Sequence, residues 1–285
     1  MNHQSSSRPV APAGCRVAGH GLVECRSSAL GDLRGRAAPA GAPPIPHRFL
    51  RHADEHTVVG LHAVLAAIAA GPPQPDLSRH AVVAAPCQSG RLAAARTLAQ
   101  LPEGGAVTVS PHVVPQCSLH SVAGAVSVAL GMQGPHLGVG GGPDALAEGL
   151  LAATTLLLHG DPECTAAWLV ATDWDEEPSL DPVGNPQGDP VCRALAVQLV
   201  PAGDASDDGS PAHGIGLVVE PSARPASRPR LHDPAGGIVA FARALTICRA
   251  GTAPAAWAID CPWGAIRLVA GSFSERVSQR AREAA

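Results

Sequence analysis

The sequence predicts an α/β fold in which a mixed sheet is covered by helices on both faces. Three observations carry this expectation. Apolar runs of strand length alternate with segments of helical periodicity through most of the chain. Two of those runs, His80–Pro86 and Ala166–Trp174, are apolar at nearly every position, the pattern of a strand buried on both faces. The chain has 285 residues, 46% of them hydrophobic, which is enough for a sizeable core.

Taken in order, residues 1–14 are expected to be a disordered start. Cys15–Glu24 reads as a strand, and Ala37–Pro46 as a Pro/Ala/Gly loop. A helix is predicted from Asp54 to Ala69, with Val58, Leu61, Val64, Leu65 and Ile68 at helical spacing and Gly71-Pro72-Pro73 as its stop. After the His80–Pro86 strand come helices at Arg91–Gln100 and Ser118–Leu130, a brief strand at Leu137–Gly140, and a helix at Pro143–His159 closed by Gly160-Asp161-Pro162. Strands follow at Ala166–Trp174, Ala194–Val200 and Gly214–Glu220, the last two joined by an acidic turn at Ala202–Ser210. A linker over 221–234 leads from this main domain (15–220) to a C-terminal unit (235–273) that is expected to pack on the same domain. That unit holds a helix, Gly237–Ala250, and a hairpin of Trp257–Cys261 with Ala265–Ala270 turning at Pro262-Trp263-Gly264; residues 274–285 read as a frayed tail.

Composition excludes several function classes. All 20 basic residues are Arg, net charge is −4, and no basic patch stands out, so nucleic acid is not an expected partner. Abundant Ala, Gly and Pro with no Lys suggest a GC-rich bacterial source. The longest apolar stretch, Leu146–Leu158, is interrupted by Gly149 and Glu148 and is too short to span a bilayer. The N-terminus lacks the charged-then-apolar pattern of a signal peptide, and a cytoplasmic protein is expected. The eight Cys and 13 His fall in no zinc, disulfide-scaffold or H-E-x-x-H spacing, so neither metal nor cofactor is expected. The acidic run Asp173–Glu177 reads as a solvated strand end, and Gly138–Gly142 fits no phosphate-loop spacing.

One segment carries a more specific signal. Between Val109 and Trp174 stand Ser110-Pro111, Val114-Pro115, a small-residue helix with Ala123-Gly124, then Gly134-Pro135, Leu137-x-Val139 and a helix with Leu150 and Ala153 on its buried face. This order resembles the central segment of the β-ketoacyl synthases. His47–Ala69 and His80–Gly90 resemble that family's first long helix and the strand after it, so the resemblance covers about Arg48–Glu220. It implies a thiolase-like half, and it implies fatty-acid or polyketide-type acyl transfer as the family chemistry.

That chemistry requires a cysteine thiolate at a sharp strand–helix turn, where the helix N-terminus lowers its pKa. At the matching positions this chain has Gly140-Gly141-Gly142-Pro143-Asp144, with Pro143 where the nucleophile would stand. The sequence reading places Pro143 at the first helical position and Asp144 against the helix dipole. The family's paired histidines belong to a second half that the resemblance does not reach; His213 and His232 fall in no matching motif. The expected function is therefore a ketosynthase-like partner of a true synthase or of an acyl carrier protein, with a possible dimer contact through Leu137–Gly142. The alternatives are an active acyltransferase using Cys117, read as lying at a helix start, or a relic with no partner. Cys87, just after a strand, is the weaker thiol candidate.

Overall fold

The computed structural model describes residues 13–46, 48–74, 76–111, 113–159, 163–201, 215–221, 237–251, 257–261 and 263–270. Residues 1–12 of the expected disordered start, the acidic turn at 202–210, the linker beyond Pro221, the Gly160-Asp161-Pro162 stop, His213, His232 and the tail from 274 lie outside them; Ala13 and Gly14, expected in that disordered start, instead belong to the first strand, paired with Val219 and Val218.

Eight strands form one sheet: β1 (Ala13–Arg26), β2 (His80–Pro86), β3 (His136–Gly138), β4 (Ala166–Trp174), β5 (Val191–Pro201), β6 (Ile215–Pro221), β7 (Trp257–Cys261) and β8 (Gly264–Ala270). Their order across the sheet is β3-β2-β4-β5-β1-β6-β8-β7. β2 runs parallel to β3 and β4, and the other neighbours are antiparallel, so the sheet is mixed as expected. The described helices are α1 (Leu30–Gly35), α2 (Glu55–Ala70), α3 (Arg91–Gly104), α4 (Val113–Gln116), α5 (Ser121–Leu130), α6 (Ala145–His159) and α7 (Ile238–Ala250).

The apolar content of β2 and β4 divides between two cores. Val82, Ala84, Trp168 and Val170 point to the face covered by α2 and α5, where they meet Val58, Leu61, Leu65 and Val122. Val83, Ala85, Leu169 and Ala171 point to the other face, under α6 and α7, with Leu150, Phe241 and Leu245. The C-terminal strands feed this second core through Trp257, Cys261, Ile266 and Leu268. Trp168 is fully buried, and its indole N–H is satisfied by His80 Nδ1 at 3.1 Å.

α2 is the central element of the first face. It is buried along almost its whole length. Its N-cap is Asp54, whose carboxylate accepts the Thr57 N–H at 2.9 Å. The helix lies directly on the backbone of β1. A Cβ at Gly21 would fall 2.5 Å from Ala63 O and 2.6 Å from Ala67 N, so only glycine permits this approach.

The structure corrects four expected boundaries around the presumed chemistry. β3 is His136–Gly138, shorter than Leu137–Gly140, because Val139 and Gly141 bond singly to Ala84 and Pro86. α6 begins at Ala145 and not at Pro143. The helix expected at Ser118–Leu130 starts at Ser121, after a separate short helix α4. α3 runs past Gln100 to Gly104 and closes at Gly105, which sits at φ +66 and donates its N–H to Leu101 O. α1 was not foreseen; its only burial signal is the Leu30/Leu33 pair.

Replacing Gly21 with Ala is expected to force α2 off β1. The loss of folding free energy should be about 1–3 kcal/mol, the usual range for overpacking, read from urea or guanidinium unfolding midpoints.

Candidate functional site

The turn between β3 and α6 is built by the backbone. Past β3 the chain stays on β2: Val139 N–H donates to Ala84 O and Gly141 N–H to Pro86 O, each at 2.9 Å. Gly140 and Gly141 then adopt φ +95 and +88, in the left-handed region that favours glycine. A Cβ on Gly140 would also lie 2.7 Å from Ala145 Cβ. Next comes a tight turn in which Ala145 N–H reaches Gly142 O at 3.1 Å. Pro143 occupies the second position of that turn, where its fixed φ is suited and its missing N–H is not called on. Asp144 O accepts the Glu148 N–H at 3.0 Å, which makes Asp144 the residue that opens α6. Pro143 therefore serves the turn and not the first helical position. Asp144 keeps its place at the positive end of the helix. Both Pro143 and Asp144 are exposed. The geometry presents a side chain outward from a sharp elbow, and the side chain presented is a pyrrolidine ring.

Cys117 does not lie at a helix start. It follows the last residue of α4, and its N–H donates to Val113 O at 2.9 Å, so it sits at a C-terminal, electronegative end. Its thiol is turned toward Gly90 O at 3.5 Å. Burial, and then the charges of Asp54 and Glu55, push its pKa above the ordinary 9.0. Cys87 is pushed the same way by burial and Asp173. Two residues beyond Cys117, Leu119 does reach the elbow. Its backbone fills the space beside Gly138, and its side chain borders Gly141.

The fold brings a third cysteine toward the elbow from the far end of the chain. Cys261, at the end of β7, is buried in the core beneath α6. Burial and the charges of Asp144, Asp260 and Glu148 raise its thiol to about 11. Two of those carboxylates belong to the start of α6, so the tip of the β7–β8 hairpin lies near the elbow. Nothing in the local sequence distinguishes Cys261 from a buried core thiol.

Beside the elbow, a group of polar residues is buried where α2 begins and where β2 and β4 end. Asp54 is 1% exposed; one carboxylate oxygen caps α2, and the other accepts the Gly90 N–H at 2.9 Å. Glu55 accepts the Leu92 N–H at 3.2 Å. Burial, and then the adjacent Asp54, raise the Glu55 carboxyl from 4.5 to about 6. His56 is fully buried, with Nδ1 2.8 Å from Thr172 Oγ1 and its ring set edge-to-face on Trp174 at 5.9 Å. Burial lowers its pKa, so the imidazole is neutral. The Asp173–Glu177 run is not simply solvated: Asp173 is half-buried, and burial raises its carboxyl to about 6, with Arg193 opposing the shift. Glu177 pairs with Arg91, while Asp175 accepts the Val191 N–H.

Along β3 and α6 runs an apolar groove of about 610 Å³, lined by Leu137, Val139, Leu151, Ala152 and Leu156, with Glu148 and His159 beside them. β3 ends the sheet, and among the described residues no strand pairs with its outer edge. Among the described residues no group of three or more His, Cys, Asp or Glu side chains is arranged to hold a metal ion. No described helix is long and apolar enough to cross a membrane.

No family model matches the chain, and no curated protein matches it in sequence. Solved structures do match. One is a ketosynthase in complex with its chain length factor from Xenorhabdus doucetiae: 12% identity, 90% of this chain and 98% of that one covered, TM-score 0.52. A second is a type II polyketide synthase acyl-carrier protein in complex with its ketosynthase, at 17% identity, covering 66% of this chain and 63% of that one, TM-score 0.49. A third is a β-ketoacyl synthase from Burkholderia phymatum STM815, at 14% identity, covering 65% and 59%, TM-score 0.42. The chain thus spans under two thirds of the second and third structures, and the fold assignment rests on the first.

Glu55 and Asp173 make a joint expectation for pH. Both carboxyls titrate higher folded than unfolded, from 4.5 and 3.8 respectively to about 6. Their contribution to stability is complete below the unfolded values and is lost as pH rises through about 6. Glu55→Gln keeps an acceptor for Leu92 N–H without the charge. It should stabilise the protein at pH 7.5 by up to about 2 kcal/mol and flatten the fall in stability between pH 4.5 and 7, measured by denaturant unfolding across that range.

Proposed function

We propose that this chain, which has the thiolase-like fold of the ketosynthases, is a non-condensing partner of a complete synthase or of an acyl carrier protein in fatty-acid or polyketide-type biosynthesis. The observation that carries this reading is the elbow. Its turn glycines, its close contact with β2 and its helix start all remain, while the exposed position holds Pro143. A condensing enzyme loads an acyl chain on a thiolate. The cysteines nearest this region are all shifted away from the thiolate: Cys87, Cys117 and Cys261 have raised pKa values. Cys117 in particular lacks the helix N-terminus that motivated it as a substitute nucleophile.

The free edge of β3 and the groove beside it supply the contact surface for this role. A short strand whose outer edge has no partner among the described residues, next to an apolar helix face, suits addition of a strand from a second protein, with side chains seated in the groove. Leu137–Gly142 is the segment we assign to that contact. A second copy of this chain and a synthase subunit would present the same chemistry to it. The likeness to a chain of nearly equal extent in a ketosynthase–chain length factor complex supports the reading at the level of fold.

Two measurements test it. Incubation with an acyl-carrier thioester is expected to leave the intact mass unchanged; a stoichiometric acyl adduct that disappears in Cys117→Ala would overturn the non-condensing role. Co-expression with a ketosynthase and a carrier protein from the same genome is expected to give a complex on size-exclusion chromatography with light scattering. Leu151→Arg, in the groove and away from the elbow, should weaken that complex at least tenfold while leaving the circular dichroism spectrum unchanged. Absence of any complex with either protein, and of a self-dimer, would favour a relic.

A further inference from the structure

β1 and β5 place two cysteines directly opposite each other. Cys25 pairs with Cys192 in the antiparallel ladder, one rung before its end at Arg26↔Val191. Both side chains point to the α2 face and belong to the same core. The other cysteines in ladder positions face different residues: Cys15 lies opposite Pro201 and Leu217, and Cys261 opposite Gly264. Residues opposite each other on one face have Cβ atoms about 4.5–5.5 Å apart. A disulfide needs about 3.5–4.5 Å between Cβ atoms and 4.4–6.8 Å between Cα atoms. A small slide at the end of the ladder closes that difference.

An imidazole stands beside the pair: Cys192 Sγ lies 3.9 Å from His56 Nδ1, the same nitrogen that meets Thr172 Oγ1 at 2.8 Å. Burial keeps both thiols protonated at rest and protects them from casual reagents. Access requires opening the final rungs of β1 and β5, together with the Ser27 N–H bond to Pro190 O and the bonds of Ser27 and Ser28 to Asp189 that lie just beyond them.

We propose that Cys25 and Cys192 are a redox modification site: a dithiol that closes to a cross-strand disulfide on exposure to a peroxide. The balance is complete with hydrogen peroxide as oxidant. Cys192 loses its proton to water when the end of the ladder opens, and the thiolate sulfur attacks one peroxide oxygen. The O–O bond breaks, the departing hydroxide is protonated to water, and Cys192 becomes a sulfenic acid. The sulfur of Cys25 then attacks Cys192 sulfur and expels the sulfenic oxygen as a second water, with the Cys25 proton leaving on it. Two thiols lose two electrons in total, and one peroxide gains them. The product ties β1 to β5 beside the start of α2, closing the long chain segment between the two cysteines and restricting the unfolded state.

The experiment uses the full chain treated with graded hydrogen peroxide, quenched by alkylation under denaturing conditions. The expected result is loss of two hydrogens in the intact mass, a Cys25–Cys192 cross-linked peptide in a non-reducing digest, and a thermal midpoint raised by several degrees that dithiothreitol reverses. Cys25→Ser and Cys192→Ser should each abolish the cross-link and the midpoint shift. Cys25→Ala serves the same purpose if a serine is poorly accepted in the core. Oxidation confined to the half-buried Cys87 and Cys117, with Cys25 and Cys192 both recovered as alkylated thiols, would overturn the site.

Discussion

The two oxygens of Asp54 hold the working end of this molecule together. One caps α2 through Thr57 N–H, and the other accepts the Gly90 N–H, where the chain leaves β2 and enters α3. A carboxylate with almost no exposure is costly to bury. Backbone N–H groups at a helix N-terminus offset that cost better than most partners, because they are fixed donors at the positive end of the dipole. Everything nearby inherits its position from this clamp. Gly90 sits at φ +63, and a Cβ there would collide with Cys117, so the 117–119 stretch can pack against the turn. Leu119 then borders the elbow, and Glu55 and His56 are carried into the interior by the helix that Asp54 starts.

On the proposed reading, architecture and reactivity are separable at the elbow. The turn needs small residues at positive φ, a close bond to β2 and a helix start, and all of these are backbone requirements. The reaction needs a thiolate at the exposed position, and that is a requirement on one side chain. The first set is met here by Gly140, Gly141 and the bonds to Ala84 and Pro86. The second is not met by any of the three cysteines drawn toward the region, because burial and neighbouring carboxylates hold each of them protonated. The face above α6 is shared with α7 and with side chains from β7 and β8, so the C-terminal segment covers much of the surface on which the elbow helix rests.

The strands were legible because burial on both faces writes itself as an uninterrupted apolar run; His80–Pro86 and Ala166–Trp174 came out with their observed ends. α2 was equally plain, since Asp54 and the Gly71-Pro72-Pro73 stop bracket a periodic segment. The errors gathered where backbone, and not side-chain pattern, decides. Pro143 satisfies the rules for a first helical residue and for the second position of a turn, and only the Ala145–Gly142 bond distinguishes them. Cys117 looked like a helix start because the break between α4 and α5 has no strong local breaker. Misplacing that boundary reversed the sign of the electrostatic argument about its thiol.

By itself the sequence determined the fold class, the order of the strands and of the longer helices, and the absence of a thiol at position 143, because each depends on periodicity or on the identity of a residue at one place. Tertiary structure alone decided which distant groups meet. It put Cys261 near the start of α6, Cys25 opposite Cys192, and His56 beside Thr172, and it shifted the carboxyls of Glu55 and Asp173. Those outcomes depend on strand register and on the depth at which each group is buried, and neither is written in any short stretch of chain.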